Sequence, residues 1–265
     1  MIISSVFFKL KARNALKGNW QTALLVTFFS GIFMTVASLF SALYLPQADA
    51  YLAYSDVLGL LEAYNAVPQS TYVAYFVILI VGLLVSPVLM LGACNYFISR
   101  IKGEELGLRG MFSRVKYAPR ATWLYLRMSI QIALWSMLFI IPGIIAVIRY
   151  SLAPYYMAEN PDITVAEAIR KSKERMKNLK LTYAMLMISF IGLQLISMLL
   201  QSILISVAGV VVALVATQFM SLFISTYAAA SIAAFYYIVT NEGDMKIFEE
   251  QLLKQIEEEQ DNELN

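Results

Sequence analysis

Residues 18–48, 63–99, 128–148 and 181–241 contain no Asp, Glu, Lys or Arg. These four charge-free stretches constrain the fold more than any motif in the chain. A helix crosses the hydrocarbon core of a bilayer with about 20 consecutive apolar residues, and every run reaches that length. Inside lipid each backbone amide must be satisfied within its own segment, which makes helices the natural form of such runs. The last run, 181–241, would measure roughly 90 Å as one helix at ~1.5 Å per residue. It must fold back once, and Ser206 to Gly209 is where the sequence offers a break.

Composition agrees: the chain is 60% hydrophobic and 14% charged, with a mean hydropathy of +0.67. A soluble domain needs more polar surface than this. An all-α, polytopic integral membrane protein is expected. The chain holds one cysteine, Cys94, and no histidine, which leaves no internal disulfide, no zinc site and no histidine-based dyad or triad. The residues call for no cofactor and no nucleic acid. The N-terminus does not read as a secretory signal, because its apolar stretch far exceeds the ~7–15 residues of a signal core.

Basic residues flanking spans stay on the cytoplasmic side. The N-terminal arm holds Lys9, Lys11, Arg13 and Lys17, whereas segment 46–71 holds Asp49, Asp56 and Glu62 and no cation. Segment 100–120 then carries Arg100, Lys102, Arg109, Arg114, Lys116 and Arg120, and segment 159–180 carries Arg170, Lys171, Lys173, Arg175, Lys177 and Lys180. These two basic segments should share a side, so residues 121–158 must cross an even number of times. Pro142-Gly143 is the expected turn of that hairpin, since proline cannot continue the preceding helix and glycine accepts a tight reversal.

The sequence thus predicts six transmembrane helices as three hairpins, at about 20–45, 72–98, 122–140, 144–158, 182–205 and 210–239. Residues 1–240 form one membrane domain with both termini cytoplasmic, followed by an acidic cytoplasmic tail, 241–265. Of the 20 Lys and Arg, 18 fall in cytoplasmic segments, and the other two, Arg127 and Arg149, lie in the arms of the middle hairpin. A five-span alternative would strand six basic residues outside. The fourth span is short: 15 residues reach roughly 22 Å against a core of about 30 Å. Within it Pro154 frees the carbonyl of Tyr150.

Amphipathic helices are expected at the cytoplasmic interface. Thr164-Val165-Ala166-Glu167 reads as a capping box. The helix it starts lines up Val165, Ile169, Ser172 and Met176, with Glu167–Lys171 and Arg170–Glu174 at i,i+4 spacing. Its basic face suits anionic headgroups. Near the N-terminus Val6, Phe7, Leu10 and Asn14 form a second stripe, and Trp20 falls at the aromatic belt. A weaker stripe of Tyr51, Tyr54, Leu58 and Leu61 suggests an interfacial helix in the outer segment. Met245, Phe248, Leu252 and Ile256 suggest another in the tail. A basic cluster followed by an aromatic recurs before three spans ("LKGNWQTALL", "APRATWLYL", "KNLKLTYAML"), a pattern that topology alone would largely produce.

The segment "IIPGIIAVIRYSLAPYYMAENPD", 140–162, combines two prolines with an intramembrane cation. Its candidate functional positions are Arg149, Arg127, Pro142, Gly143, Pro154 and Glu159. Arg149 either snorkels to inner-leaflet phosphates or donates to carbonyls freed by Pro154 or Pro142, a polar knot. A direct Arg149–Glu159 bond is not expected along one straight helix, since the two residues point to different faces.

"IPGIIAVIRYSLAPYYMAENPDITVAEAIRKSKERMK", with "ARNALKGNW" near the start and "AAFYY" at 233–237, resembles the signature of a bacterial membrane family known as domain of unknown function 975. More distantly it is similar to the membrane portion of some glycerophosphodiester phosphodiesterases. This chain departs from the family where Asn178 follows Lys177, in place of the usual glycine, and where Gly192-Leu193 replaces a tryptophan. The resemblance implies a six-helix bacterial inner-membrane protein and brings no catalytic residues to carry over.

Three function classes compete. The preferred one is a non-enzymatic scaffold or accessory subunit that organises a membrane-protein partner or lipids, drawing on small residues such as Ala228, Ala229, Ala230 and Ser231 for close helix contact. The alternative is a transporter or channel component, which broken helices around Arg149 suit. Gln131, Gln194, Gln201 and Gln218 would supply its polar path. A lipid phosphodiesterase is the least supported, because no soluble catalytic domain is present in the sequence and the acids lie in loops.

Overall fold

The computed structural model describes residues 5–45, 57–241, 246 and 250. Among these residues eleven α-helices follow in order: α1 Ser5–Leu16, α2 Trp20–Tyr44, α3 Val57–Ala66, α4 Gln69–Ile101, α5 Leu108–Phe112, α6 Ala118–Leu138, α7 Ile140–Tyr150, α8 Ala153–Glu159, α9 Val165–Arg175, α10 Lys180–Ala208 and α11 Val210–Thr240. A single 3-10 turn, Val115–Tyr117, precedes α6. No strand occurs among the described residues. The long helices pair as hairpins: α2 with α4, α6 with α7, and α10 with α11.

Among the described residues five stretches are long and apolar enough to cross a membrane: α2, α4, the continuous piece Ile140–Glu159 that contains α7 and α8, most of α10, and Val215–Thr240 of α11. Helix α6 has the length, 21 residues, but carries Arg120 and Arg127 and is not among them. Hydroxyls in the apolar helices are satisfied at home. Thr27, Ser30, Ser189, Thr217, Thr226 and Ser231 each donate to a carbonyl three or four residues earlier in the same helix, as a solvent without hydrogen bonds requires.

Burial is concentrated at one end of the bundle, the end that carries the basic segments. All the buried residues of α4 lie between Pro87 and Ile101, and those of α6 are Ala121, Leu124 and Met128, in its first half. In α10 the buried apolar side chains are Tyr183, Leu186 and Phe190, while α11 buries most positions from Ala230 to Val239. Helix α1 and the short helices α5, α8 and α9 pack into this end. Towards the opposite end Met34, Leu84, Met137, Leu199 and Phe219 are exposed, a surface suited to lipid tails.

Several sequence expectations shift. The middle hairpin does not turn at Pro142-Gly143. It turns on one extended residue, Phe139 (φ −159°, ψ 153°), between α6 and α7. Pro142 lies in the first turn of α7, where a missing N–H has no helical partner to lose. The apolar piece therefore starts at Ile140 and runs 20 residues, roughly 30 Å, longer than the 144–158 span expected. Gly143 serves close packing: a Cβ there would overlap the Ser136 hydroxyl and stand 3.0 Å from the Ser136 Cα.

The stripe expected on α1 is also corrected. Val6 and Leu10 are exposed, while Phe7, Phe8, Ala12 and Leu16 are buried. Phe8, Ala12 and Leu16 are spaced by four as well, and the edge-on stack of Phe8 with Phe235 of α11, centroids 5.0 Å apart, selects that face. Trp20 lies against Phe223 and Tyr227 of α11. On α9 the expected face is the buried one, Val165, Ile169, Ser172 and Met176, and it faces the protein. The Thr164 hydroxyl accepts from the Glu167 N–H, and both ion pairs form, Glu167–Lys171 at 3.3 Å and Arg170–Glu174 at 3.0 Å. The break in the last run falls at Gly209, whose φ of 82° and ψ of 163° suit only glycine. The tail helix lies outside the described residues, as do Tyr51 and Tyr54 of the outer stripe; α3 covers the rest of that stripe.

Candidate functional site

The expected intramembrane irregularity is present, as a break between α7 and α8 at Ser151 and Leu152. Pro154 falls in the first turn of α8, so it starts a new helix. Such a break leaves backbone groups without helical partners, and Ser172 of α9 supplies two of them. Its hydroxyl donates to the Arg149 carbonyl at 2.7 Å and accepts from the Leu152 N–H at 3.2 Å. Ser172 is fully buried. A polar knot therefore holds the segment, tied by Ser172 through the main chain of Arg149.

That knot sets the position of two cations, Arg149 and Lys173. Because Ser172 is fixed to Arg149, its neighbour Lys173 lies beside the end of α7, with the ammonium 5.1 Å from the centroid of the Tyr150 ring. Burial, and after it the charges of Arg149 and Arg127, hold the Lys173 ammonium below its usual value. No carboxylate among the described residues pairs with Arg127, Arg149 or Lys173. Arg127, Trp123 and Arg120 share one face of α6 and line a cavity of about 350 Å³, closed on its other side by residues 162–166. Arg120 is engaged there, donating to the Pro161 carbonyl at 3.0 Å and standing 3.6 Å from Asp162.

Glu159 takes no part in this cluster. It ends α8 and joins three elements, accepting from Lys102 Nζ through Oε1 and from the Tyr236 hydroxyl through Oε2, each at 2.5 Å. Tyr236 stacks on Tyr155 and meets Tyr156 edge-on. The structure thus sets Arg127 and Arg149 near Lys173, places Pro142 and Gly143 within the start of α7 just after the hairpin turn, and assigns Glu159 to a separate tie.

Sequence reasoning gave no role to other groups at this end. The Tyr125 and Tyr155 hydroxyls lie close to the Cys94 thiol, and that of Tyr183 close to Ser151. Arg114 reaches back to the Asn95 amide oxygen at 2.6 Å, and Arg100 to the Ala15 carbonyl at 3.4 Å. Arg114 and Arg100 read as ordinary topology-setting charges in the sequence; their tertiary partners have no sequence signal.

Residues 126–243 match the family model described as "Protein of unknown function (DUF975)". The chain carries the DUF975 domain. The match runs from within α6 through α11, a little under half of the chain, and so includes the α7–α8 break, Ser172 and the three cations. No curated protein and no solved structure matches.

Proposed function

We propose that this DUF975 protein is a non-enzymatic six-span protein of the bacterial cytoplasmic membrane, with both termini inside, that organises lipids or partner proteins at its inner face. The observation that carries this is the polarised core. Amphipathic helices α1 and α9 are built into the best-packed end of the bundle, and they carry Lys9, Lys11, Arg13, Arg170, Lys171, Lys173 and Arg175 there. A bundle of this kind is a fixed platform facing headgroups, with a loosely packed opposite half that suits lipid. Pairing of α6 with α7 supports α6 as a sixth span, its two arginines reaching the interface along their aliphatic stems.

Topology is tested by single cysteines in a Cys94→Ala background. Asn65→Cys and Phe139→Cys are expected to react with an impermeant thiol reagent on intact cells, and Arg109→Cys and Lys177→Cys only after the membrane is opened. All four replace exposed residues. Labelling of Lys177→Cys from outside would rule out the six-span arrangement.

The break beside Arg149 favours a second reading, a transporter, since discontinuous helices near an intramembrane charge are how many carriers build their sites. Against it, the span hydroxyls named above are turned back onto their own helices, and Gln218 is exposed. Purified protein in liposomes is expected to take up neither radiolabelled organic anions nor protons beyond protein-free vesicles. Saturable uptake that disappears in Arg149→Gln would replace the scaffold with a carrier.

A further inference from the structure

We infer that the cavity between α6 and the start of α9, together with Arg127, Arg149 and Lys173, is a binding site for a phosphate-bearing anion. This deepens the platform reading above, on which it rests. Helix α6, which carries Arg127, packs on both α7 and α9, and the bond from Ser172 to the main chain of Arg149 fixes Lys173 beside the end of α7. Like charges at this range repel, a cost that a folded chain carries only when something offsets it. Carboxylates offset nearly every other charge on α9, through Glu167 with Lys171 and Glu174 with Arg170. Among the described residues the Arg127–Arg149–Lys173 group has none, which leaves these cations open to a counterion from outside the bundle.

The cavity defines the shape of that counterion. At about 350 Å³ it is in the range of small-ligand sites. Among the described residues Arg127 is its one cationic wall without a protein partner, because Arg120 is held by Asp162 and the Pro161 carbonyl. Asp162 also lines the cavity, paired with Arg120, so Arg127 is the side on which an anion is held. Guanidinium groups bind phosphate oxygens through paired, planar donors. Trp123, half exposed beside Arg127, offers an amphipathic ring at the level where such rings meet the glycerol region of a leaflet. A phosphodiester headgroup and a free phosphate share the chemistry this site recognises.

Native mass spectrometry of the detergent-purified full chain separates the two sources. Its probes are phosphatidylglycerol, phosphatidylcholine and inorganic phosphate. The expected result is one copy of phosphatidylglycerol held about tenfold more tightly than phosphatidylcholine, and weakened about tenfold by Arg127→Gln or Lys173→Gln, the scale of one charge-assisted contact. Arg109→Gln, an exposed cation outside the cluster, should leave it unchanged. Displacement of the lipid by millimolar inorganic phosphate would support the site and make its ligand soluble. Equal binding by wild type and both cluster variants with either probe, or an equal loss in Arg109→Gln, would overturn it. Circular dichroism melts of each variant show whether it is folded, and two substitutions on different helices keep the test open if one is not. Binding is measured without a gradient, so uptake in liposomes would defeat the platform reading and leave the site standing. Lost selectivity without uptake would do the reverse.

Discussion

Ser172→Ala should lower the thermal midpoint of the detergent-solubilised protein by about 5–15 °C. The substitution removes one oxygen and leaves two main-chain groups, the buried Leu152 N–H and the part-buried Arg149 carbonyl, without that partner. An unsatisfied buried group costs about 1–3 kcal/mol and a part-buried one less, so about 2–4 kcal/mol is lost in total, and for chains near this size 1 kcal/mol moves the midpoint by about 2–4 °C. Ser202→Ala is the matching control. That serine is exposed and donates only to Leu199 of its own helix, so its loss should move the midpoint little. The same Ser172 variant should weaken phosphatidylglycerol binding, because Lys173 is placed by that bond. A midpoint unchanged from wild type would mean that water or a shifted backbone satisfies the break, and that the knot is not what holds α7 and α8 to α9.

Gly92→Ala should be the most damaging single methyl in the chain. A Cβ at Gly92 would overlap the Met111 carbonyl oxygen and stand 2.9 Å from the carbonyl carbon. Backbone cannot rotate away as a side chain does. Helix α5 would have to lift off α4, breaking the burial of Met111 and the Arg114–Asn95 bond. Overpacking of this kind costs about 1–3 kcal/mol and at times more, and the upper end is expected here. Gly143→Ala makes the instructive comparison. Its new methyl meets Ser136, whose hydroxyl can turn aside, so Ser136→Gly should restore part of what Gly143→Ala loses. No side-chain change at Met111 should rescue Gly92→Ala, because the obstacle is main chain. Folding yield and melting in detergent read both, and a wild-type melt for Gly92→Ala would show that α5 is not seated as described.

What could be read in advance divides along physical lines. The hairpin pairs follow from hydropathy and length, and the buried face of α9 follows from its 3.6-residue period, a local property of the sequence. Gly209 was findable because a charge-free run of that length had to reverse somewhere. Pro142-Gly143 misled for a definite reason: proline suits the first turn of a helix as well as a turn, and glycine suits a tight helix–helix contact as well as a reversal. On α1 two apolar stripes compete, and only Phe235, more than 200 residues away, decides between them. Ser172 shows the limit most clearly. In sequence it is one position on an amphipathic stripe; its partners lie on a segment 20 and 23 residues earlier, and nothing local marks them. The cluster of Arg127, Arg149 and Lys173 was invisible for the same reason, since its members come from three helices.

The seat of α1 has a consequence for the order of events during synthesis. Phe8 stacks on Phe235, and the Lys9 carbonyl accepts from the Tyr227 hydroxyl at 3.0 Å, across 218 residues. Helix α1 therefore completes its packing only against α11, which is made more than 200 residues later. At about 5–20 residues per second, translation of the intervening chain takes roughly 10–45 s. Throughout that interval Phe8, Ala12 and Leu16 have no α11 to cover them, and the membrane surface is the nearest apolar phase. Docking of α1 is thus a closing step, and a chain stopped short of α11 would present a bare amphipathic helix to chaperones and proteases.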